Sequence, residues 1–120
     1  MLDDYKDAAV RHFNDALSLL ELERFDNAGH LMGFSAECAI KSTLSGEVRV
    51  HLPELLASAR KRLHSRTTNA ELLGILRTKA FDTWRVDRRY HLTGKTTPAE
   101  LDSWVKTTQH LLRLSGVKRK

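Results

Sequence analysis

Apolar residues recur at helical spacing along most of the chain. In the first segment they lie three or four positions apart with charged residues between them, which is typical of an amphipathic helix with one buried face. These apolar positions are Tyr5, Ala9, Phe13, Ala16 and Leu20. The pattern predicts a helix over residues 3–22, a corner at residues 24–25, and a second helix that begins at an Asp26 N-cap. This second helix is expected to end near Leu44, before Ser45 and Gly46.

Three further helices are predicted from their start signals. Pro53 suits the first turn of a helix, since its fixed φ fits that position and its missing N–H is not needed there. Thr68 and Thr97 are each followed three residues later by Glu, which is the capping-box pattern. Five helices with short connections predict an all-α fold, an antiparallel up-and-down bundle of four to five helices. The last helix is expected to end near Gly116 and to bury Leu101, Trp104, Val105, Thr108, Leu111 and Leu112.

Length and composition indicate one domain over residues 1–117, followed by a basic tail at 118–120. A chain of 120 residues with 41% hydrophobic and 29% charged residues is an ordinary globular domain. The sequence contains no apolar run of about 18 residues, so no membrane span is expected. The single cysteine, Cys38, cannot form an intrachain disulfide, and the first residues do not resemble a signal peptide. A cytoplasmic location is therefore expected. The six histidines show no metal-binding pair on one helix, and the sequence contains no Gly-rich phosphate loop, so neither a metal nor another cofactor is expected.

The charge is divided unevenly between the two halves of the chain. Residues 1–59 carry 5 basic and 10 acidic side chains, whereas residues 60–120 carry 15 basic and 5 acidic ones. Such a split can attract a polyanion to one side of the molecule, or the acidic half of one copy to the basic half of another. Charge alone leaves both possibilities open.

The second predicted helix combines small residues with a polar stripe. Gly29 and Gly33 would each cost about 1 kcal/mol relative to Ala in a helix interior, so close packing of neighbouring elements is the expected compensation. His30, Glu37 and Lys41 share one side of the same helix at helical spacing. One interpretation is a solvated edge with a weak Glu37–Lys41 pair. The other is a partly covered polar site, in which Glu37 holds a cation from elsewhere in the chain.

A second candidate site is the arginine-rich segment, residues 85–96, which is long for a connection in a small domain. Arginine side chains suit bidentate contacts with phosphate, and a tyrosine beside them can stack on a base. A histidine that titrates near neutral pH can transfer a proton in RNA cleavage. The alternative is structural: Arg88 or Arg89 pairs with Glu37 or an N-terminal aspartate. The residues concerned are Arg85, Arg88, Arg89, Tyr90, His91 and Lys95.

These patterns resemble the HEPN family (higher eukaryotes and prokaryotes nucleotide-binding). The stretch Ala-x-His-Leu-x-Gly-Phe-x-Ala-Glu-Cys-Ala-Ile-Lys over residues 28–41 is similar to the second helix of that family. The first helix with His12, the corner at residues 23–28, the stretch at residues 51–55 and the pair Arg89-Tyr90 fit it more loosely. The resemblance spans nearly the whole chain, and the second helix is its most specific part.

The resemblance implies an all-α bundle, commonly dimeric, and in many members a metal-independent RNase of toxin–antitoxin, CRISPR or anti-phage systems. The family's catalytic motif is an arginine followed four to six residues later by a histidine, and Arg85 and His91 match that gap. Combined with the chemistry of the two candidate sites, this resemblance gives Arg88, Arg89, Tyr90 and Lys95 as the residues that would bind RNA or a nucleotide. His30, Glu37 and Lys41 would then form the pocket. Val86 departs from the polar residue usual after the arginine. The alternative is therefore a non-catalytic nucleotide-binding domain, or the helical partner module of a minimal nucleotidyltransferase.

Overall fold

The computed structural model describes residues 4–43, 52, 55, 81, 84 and 96–114. These residues form three helices and no strand: α1 (Tyr5–Glu21), α2 (Phe25–Lys41) and α3 (Pro98–Leu114). The predicted all-helical character is confirmed for this part of the chain. The helices predicted after Pro53 and Thr68, and the basic tail, lie outside the described residues. None of the three helices combines the length and the apolar character that crossing a membrane requires.

A tight corner joins α1 to α2. At the end of α1 the N–H of Glu23 donates to the Leu20 carbonyl at 3.0 Å, and the N–H of Arg24 donates to the Leu19 carbonyl at 2.9 Å. This pair of bonds is the Schellman pattern, which requires a left-handed residue between the two helices. Glu23 adopts that conformation with φ of 59°. The short corner brings α2 directly back along α1.

The prediction that Asp26 is the N-cap of α2 is wrong. The helix begins at Phe25 with Arg24 as its N-cap, because the Schellman corner leads straight into the first turn. Asp26 lies within that first turn, where a carboxylate also interacts favourably with the helix dipole. Its Oδ1 accepts a hydrogen bond from the backbone N–H of Thr96 at 3.0 Å. The side chain therefore joins α2 to the residues just before α3.

α2 is the central helix of the three, since it contacts both α1 and α3. α1 and α2 run antiparallel: Tyr5 of α1 lies near Lys41 of α2, and the Ser35 hydroxyl donates to the Ala9 carbonyl at 2.6 Å. The predicted inner face of α1 is confirmed at its centre, where Ala9, Phe13 and Ala16 are fully buried. Small residues on both helices allow this close approach.

The start and the buried face of α3 agree with the prediction. Thr97 caps the helix, because its Oγ1 accepts the backbone N–H of Glu100 at 3.1 Å. Val105 is half-buried, and the other predicted core positions of this helix are buried. The buried residues are Leu101, Trp104, Thr108, Leu111 and Leu112.

Each glycine of α2 receives a tryptophan ring, which confirms the expected close packing. A Cβ built on Gly29 would lie 2.8 Å from Cζ3 of Trp104, and one built on Gly33 would overlap the indole ring of Trp84. Both tryptophans are almost completely buried. The two tryptophan rings, which are the largest side chains of the core, therefore occupy the space that side chains at positions 29 and 33 would fill.

We expect Gly33→Ala to lower the free energy of unfolding by about 2 kcal/mol or more, because overpacking a dense core typically costs 1–3 kcal/mol. Helix propensity alone gives the opposite sign, a gain of about 1 kcal/mol. Chemical denaturation of the variant measures the balance. Ser18→Ala, at an exposed position of α1, is the matched control and should change stability by less than about 0.5 kcal/mol. A Gly33→Ala protein more stable than the wild type would contradict the packing described here.

Candidate functional site

The polar stripe of α2 is buried at its C-terminal end. Glu37 is 3% exposed and Lys41 is 8% exposed. Glu37 Oε2 lies 3.5 Å from Lys41 Nζ, and Glu37 Oε1 accepts the backbone N–H of Leu52 at 3.0 Å. One carboxylate thus joins a lysine on its own helix to a backbone amide fifteen residues further along the chain.

This geometry excludes the solvated edge and shows a covered polar environment, whereas a cation held by Glu37 from elsewhere in the chain stays a prediction. A solvated edge is wrong, because the Glu37–Lys41 pair forms in a covered environment rather than at the surface. A charged group with so little contact with water requires partners that offset its desolvation. Lys41 and the Leu52 amide are two such partners. The suggested pairing of Glu37 with Arg88 or Arg89 involves residues outside the described part of the chain.

Lys41 is further held by an aromatic ring from α1. Its Nζ lies 5.8 Å from the centroid of the Tyr5 ring, within the range of a cation–π interaction. The ammonium group is therefore placed between the Glu37 carboxylate and the Tyr5 ring. This arrangement fixes a positive charge at the seam between α1 and α2.

Aromatic rings surround the N-terminal end of the same stripe. The His30 ring packs edge-on against Phe34 with centroids 4.6 Å apart, and stacks on Trp84 with centroids 5.6 Å apart at 19°. The His12 ring of α1 lies 5.8 Å from the same Phe34 ring. Two imidazoles, one from each helix, therefore lie next to Phe34. Both histidines and Phe34 are half-buried, whereas Trp84 is fully buried.

His12 has a pKa below its ordinary value of 6.5. Burial is the main cause, because it disfavours the charged imidazolium, and the neighbouring Arg11 lowers the pKa further. The charges of Asp15 and Glu37 act in the opposite direction without reversing the shift. Near neutral pH His12 is therefore a neutral imidazole at the seam between α1 and α2.

The lowered pKa of His12 predicts that acidification destabilises the protein. As the pH falls, the unfolded chain binds a proton on His12 at a higher pH than the folded chain does. The contribution of His12 to the free energy of unfolding is therefore fully present above about pH 6.5 and is lost as the pH falls through the folded pKa. Denaturation series between about pH 7.5 and pH 5 should show a smaller loss in His12→Gln than in the wild type. Equal losses in both proteins, or an NMR titration of His12 at or above 6.5, would contradict this prediction.

The structure describes three of the sequence-predicted site residues and brings them onto one side of α2: His30, Glu37 and Lys41. The other six, Arg85, Arg88, Arg89, Tyr90, His91 and Lys95, lie outside the described residues. The two neighbours of this group are described, however, since Trp84 directly precedes Arg85 and Thr96 directly follows Lys95. Within the described part of the chain, no three or more His, Cys, Asp or Glu side chains form a group that could hold a metal ion.

The sequence patterns gave no site role to Tyr5, His12 or Trp84. Tyr5 contacts Lys41, Trp84 contacts His30, and His12 contacts Phe34 beside the stripe. Tyr5 and His12 share the side of α1 that faces α2, seven residues apart, which is two helical turns. Trp84 carries a weaker signal, since it is a large apolar residue directly before the arginine-rich segment. Its contact with His30 joins residues far apart in the chain, and no local pattern encodes such a contact.

Comparison of the chain with models of protein families, with curated proteins and with solved structures gave no match.

Proposed function

We propose that this chain is a HEPN-like helical protein that cleaves RNA, as a metal-independent endoribonuclease of a toxin–antitoxin or anti-phage defence system. The observation that carries the proposal is the stacking of Trp84 on His30. Because Trp84 directly precedes Arg85, this contact joins the start of the arginine-rich segment to the polar stripe of α2. The two groups of residues that the family resemblance assigns to one site are thereby connected.

In the proposed reaction Arg85 binds the scissile phosphate, and His91 transfers a proton as an acid or a base. A base removes the proton from the 2′-hydroxyl of the ribose, and the 2′-oxygen then attacks the adjacent phosphorus. The bond from phosphorus to the 5′-oxygen breaks, and that oxygen takes up a proton. The products are a 2′,3′-cyclic phosphate and a free 5′-hydroxyl, so the step requires neither an oxidant nor a reductant.

The remaining candidate residues have supporting roles in this proposal. Arg88, Arg89 and Lys95 bind neighbouring phosphates of the strand, and Tyr90 stacks on a base. The buried Glu37–Lys41 pair and His30 order the pocket wall. The proposal includes a complete antiparallel bundle of four to five helices and a cytoplasmic location, as the sequence patterns predict. It also includes a homodimer and a nucleotidyltransferase-type or defence partner protein, which the family resemblance implies.

The test is incubation of the purified protein with single-stranded RNA in the presence of a chelator. The proposal expects defined fragments that end in a 2′,3′-cyclic phosphate, at a rate that the chelator does not change. RNA or nucleotide binding without any fragments would replace the proposal with the binding-module alternative. If the protein neither cleaves RNA nor binds RNA or a nucleotide, both functions are overturned.

A further inference from the structure

The two borders of the arginine-rich segment contact the same turn of α2. At the first border, the indole N–H of Trp84 donates to the Gly29 carbonyl at 3.0 Å. At the last residue of the segment, the backbone N–H of Thr96 donates to Asp26 Oδ1 at 3.0 Å. A Cβ built on Gly29 would lie 3.0 Å from the Thr96 methyl carbon, so Gly29 lies beside both borders. Asp26 and Gly29 are three residues apart, which is less than one helical turn.

The Trp84 contact is buried, and the Thr96 contact is partly buried. Trp84 is completely buried and its ring fills the space above Gly33, and Thr96 is 5% exposed. A hydrogen bond to a carboxylate is stronger than one between neutral groups, and shielding from water strengthens it further. The chain is thus attached to α2 on both sides of the segment, through the Trp84 side chain and through the Thr96 backbone.

We infer that Asp26 and Trp84 are positioning residues, which fix the two ends of the arginine-rich segment to one turn of α2. The inference rests on the proposed function in one respect, namely that the segment acts on RNA. Trp84 and Thr96 both contact this one turn of α2, so the two described residues that border the segment share one place of attachment. Fixing both ends of a loop removes much of its conformational freedom before any ligand binds.

The attachment has a direct consequence for two cations of the segment. Consecutive Cα atoms are about 3.8 Å apart, so the backbones of Arg85 and Lys95 begin at that distance from Trp84 and Thr96. Arg85 and Lys95 are thus the two residues of the segment that are bonded directly to the anchored positions. Misplacing a substrate-binding group by about 1 Å can cost a hundredfold in rate, so loss of either anchor should impair the proposed reaction.

Limited proteolysis with trypsin tests the anchors without any RNA, because the segment itself contains arginine and lysine. Asp26→Ala removes the acceptor, whereas Asp26→Asn keeps an oxygen at the same place. Mass spectrometry should show cleavage within residues 85–96 about tenfold faster or more in Asp26→Ala, and within about twofold of the wild type in Asp26→Asn. Asp102→Ala, at an exposed carboxylate of α3, is the matched control and should also resemble the wild type.

Trp84→Phe is the corresponding variant at the other border, because it keeps an aromatic ring but removes the indole N–H. It should also accelerate cleavage of the segment. Cleavage after Arg11, within α1, serves as the internal reference, since global unfolding accelerates cleavage there as well. An increase confined to the segment supports the anchors, whereas parallel increases at both places overturn the inference.

The RNA assay then separates the anchors from the proposed function. If the wild type cleaves RNA, Asp26→Ala should lower kcat/KM about tenfold or more and Asp26→Asn should restore it. Unchanged proteolysis of the segment in Asp26→Ala overturns the anchors whatever the RNA assay gives. Faster proteolysis combined with unchanged RNA cleavage overturns the positioning role. Faster proteolysis in a protein that neither binds nor cleaves RNA supports the anchors and overturns the proposed function.

Discussion

Replacing Glu37 by Ala is expected to lower the free energy of unfolding by about 3–5 kcal/mol, the cost of breaking a buried ion pair by removing one partner. The substitution leaves the buried ammonium of Lys41 without its carboxylate, and it removes the acceptor of the Leu52 amide. Both groups then lose a partner in a place that water scarcely reaches. Urea denaturation of the variant measures the loss.

The chain supplies two matched controls for this prediction. Asp7 pairs with Arg11 at 3.2 Å and Asp102 pairs with Lys106 at 3.1 Å, both with the same spacing of four residues as Glu37 and Lys41. The carboxylate side chains of these pairs are 70% and 64% exposed, against 4% for Glu37. Asp7→Ala and Asp102→Ala should therefore each cost less than about 1 kcal/mol.

Comparison of the three variants isolates the effect of burial, because spacing and pair type are nearly constant. Glu37→Gln adds a second test, because its amide oxygen can still accept the Leu52 N–H. The free energy of unfolding of this variant should lie between those of the wild type and Glu37→Ala. Similar losses in all three alanine variants would mean that Glu37 is no more important than a surface carboxylate. The description of a covered polar site would then be wrong.

Features encoded by local spacing were predictable from the sequence. The buried face of α3 follows from the recurrence of apolar residues, and the start of that helix follows from Thr97 and the residue three positions later. The packing around Gly29 and Gly33 was also foreseeable, because glycine in a helix interior is costly unless a neighbour occupies the space. Each of these conclusions depends on residues within a few turns of one another.

Features that depend on distant partners could not be predicted in the same way. The assignment of Asp26 as an N-cap rested on a correct local preference, yet a Schellman corner started the helix earlier and left Asp26 for a partner 70 residues away. Trp84 and Gly29 are 55 residues apart. The burial of Glu37 depends on which elements cover α2, and helical periodicity identifies only the face on which the residue lies. Charged residues usually lie at the surface, so no local pattern predicted the burial of Glu37.

Replacing His91 by Ala is expected to slow RNA cleavage about 100- to 10,000-fold while RNA affinity stays nearly unchanged, since this is the usual contribution of proton transfer by a side chain. Single-turnover cleavage and fluorescence anisotropy measure the two quantities on the same RNA. Arg85→Ala should instead weaken both, because a lost bidentate contact with phosphate affects the bound substrate as well as the reaction.

His110→Ala is the matched control for His91→Ala, because it removes a histidine on α3 that has no role in the proposed site. Its cleavage rate should stay within about twofold of the wild type, since surface and half-buried positions away from the chemistry rarely change the reaction. If His91→Ala cleaves as fast as the wild type, the proton is transferred by another group, or the activity comes from a co-purifying nuclease. A parallel loss of affinity and rate in His91→Ala would place His91 among the binding residues and remove it from the catalytic pair. Only a selective loss of rate, absent in His110→Ala, supports acid–base catalysis by His91.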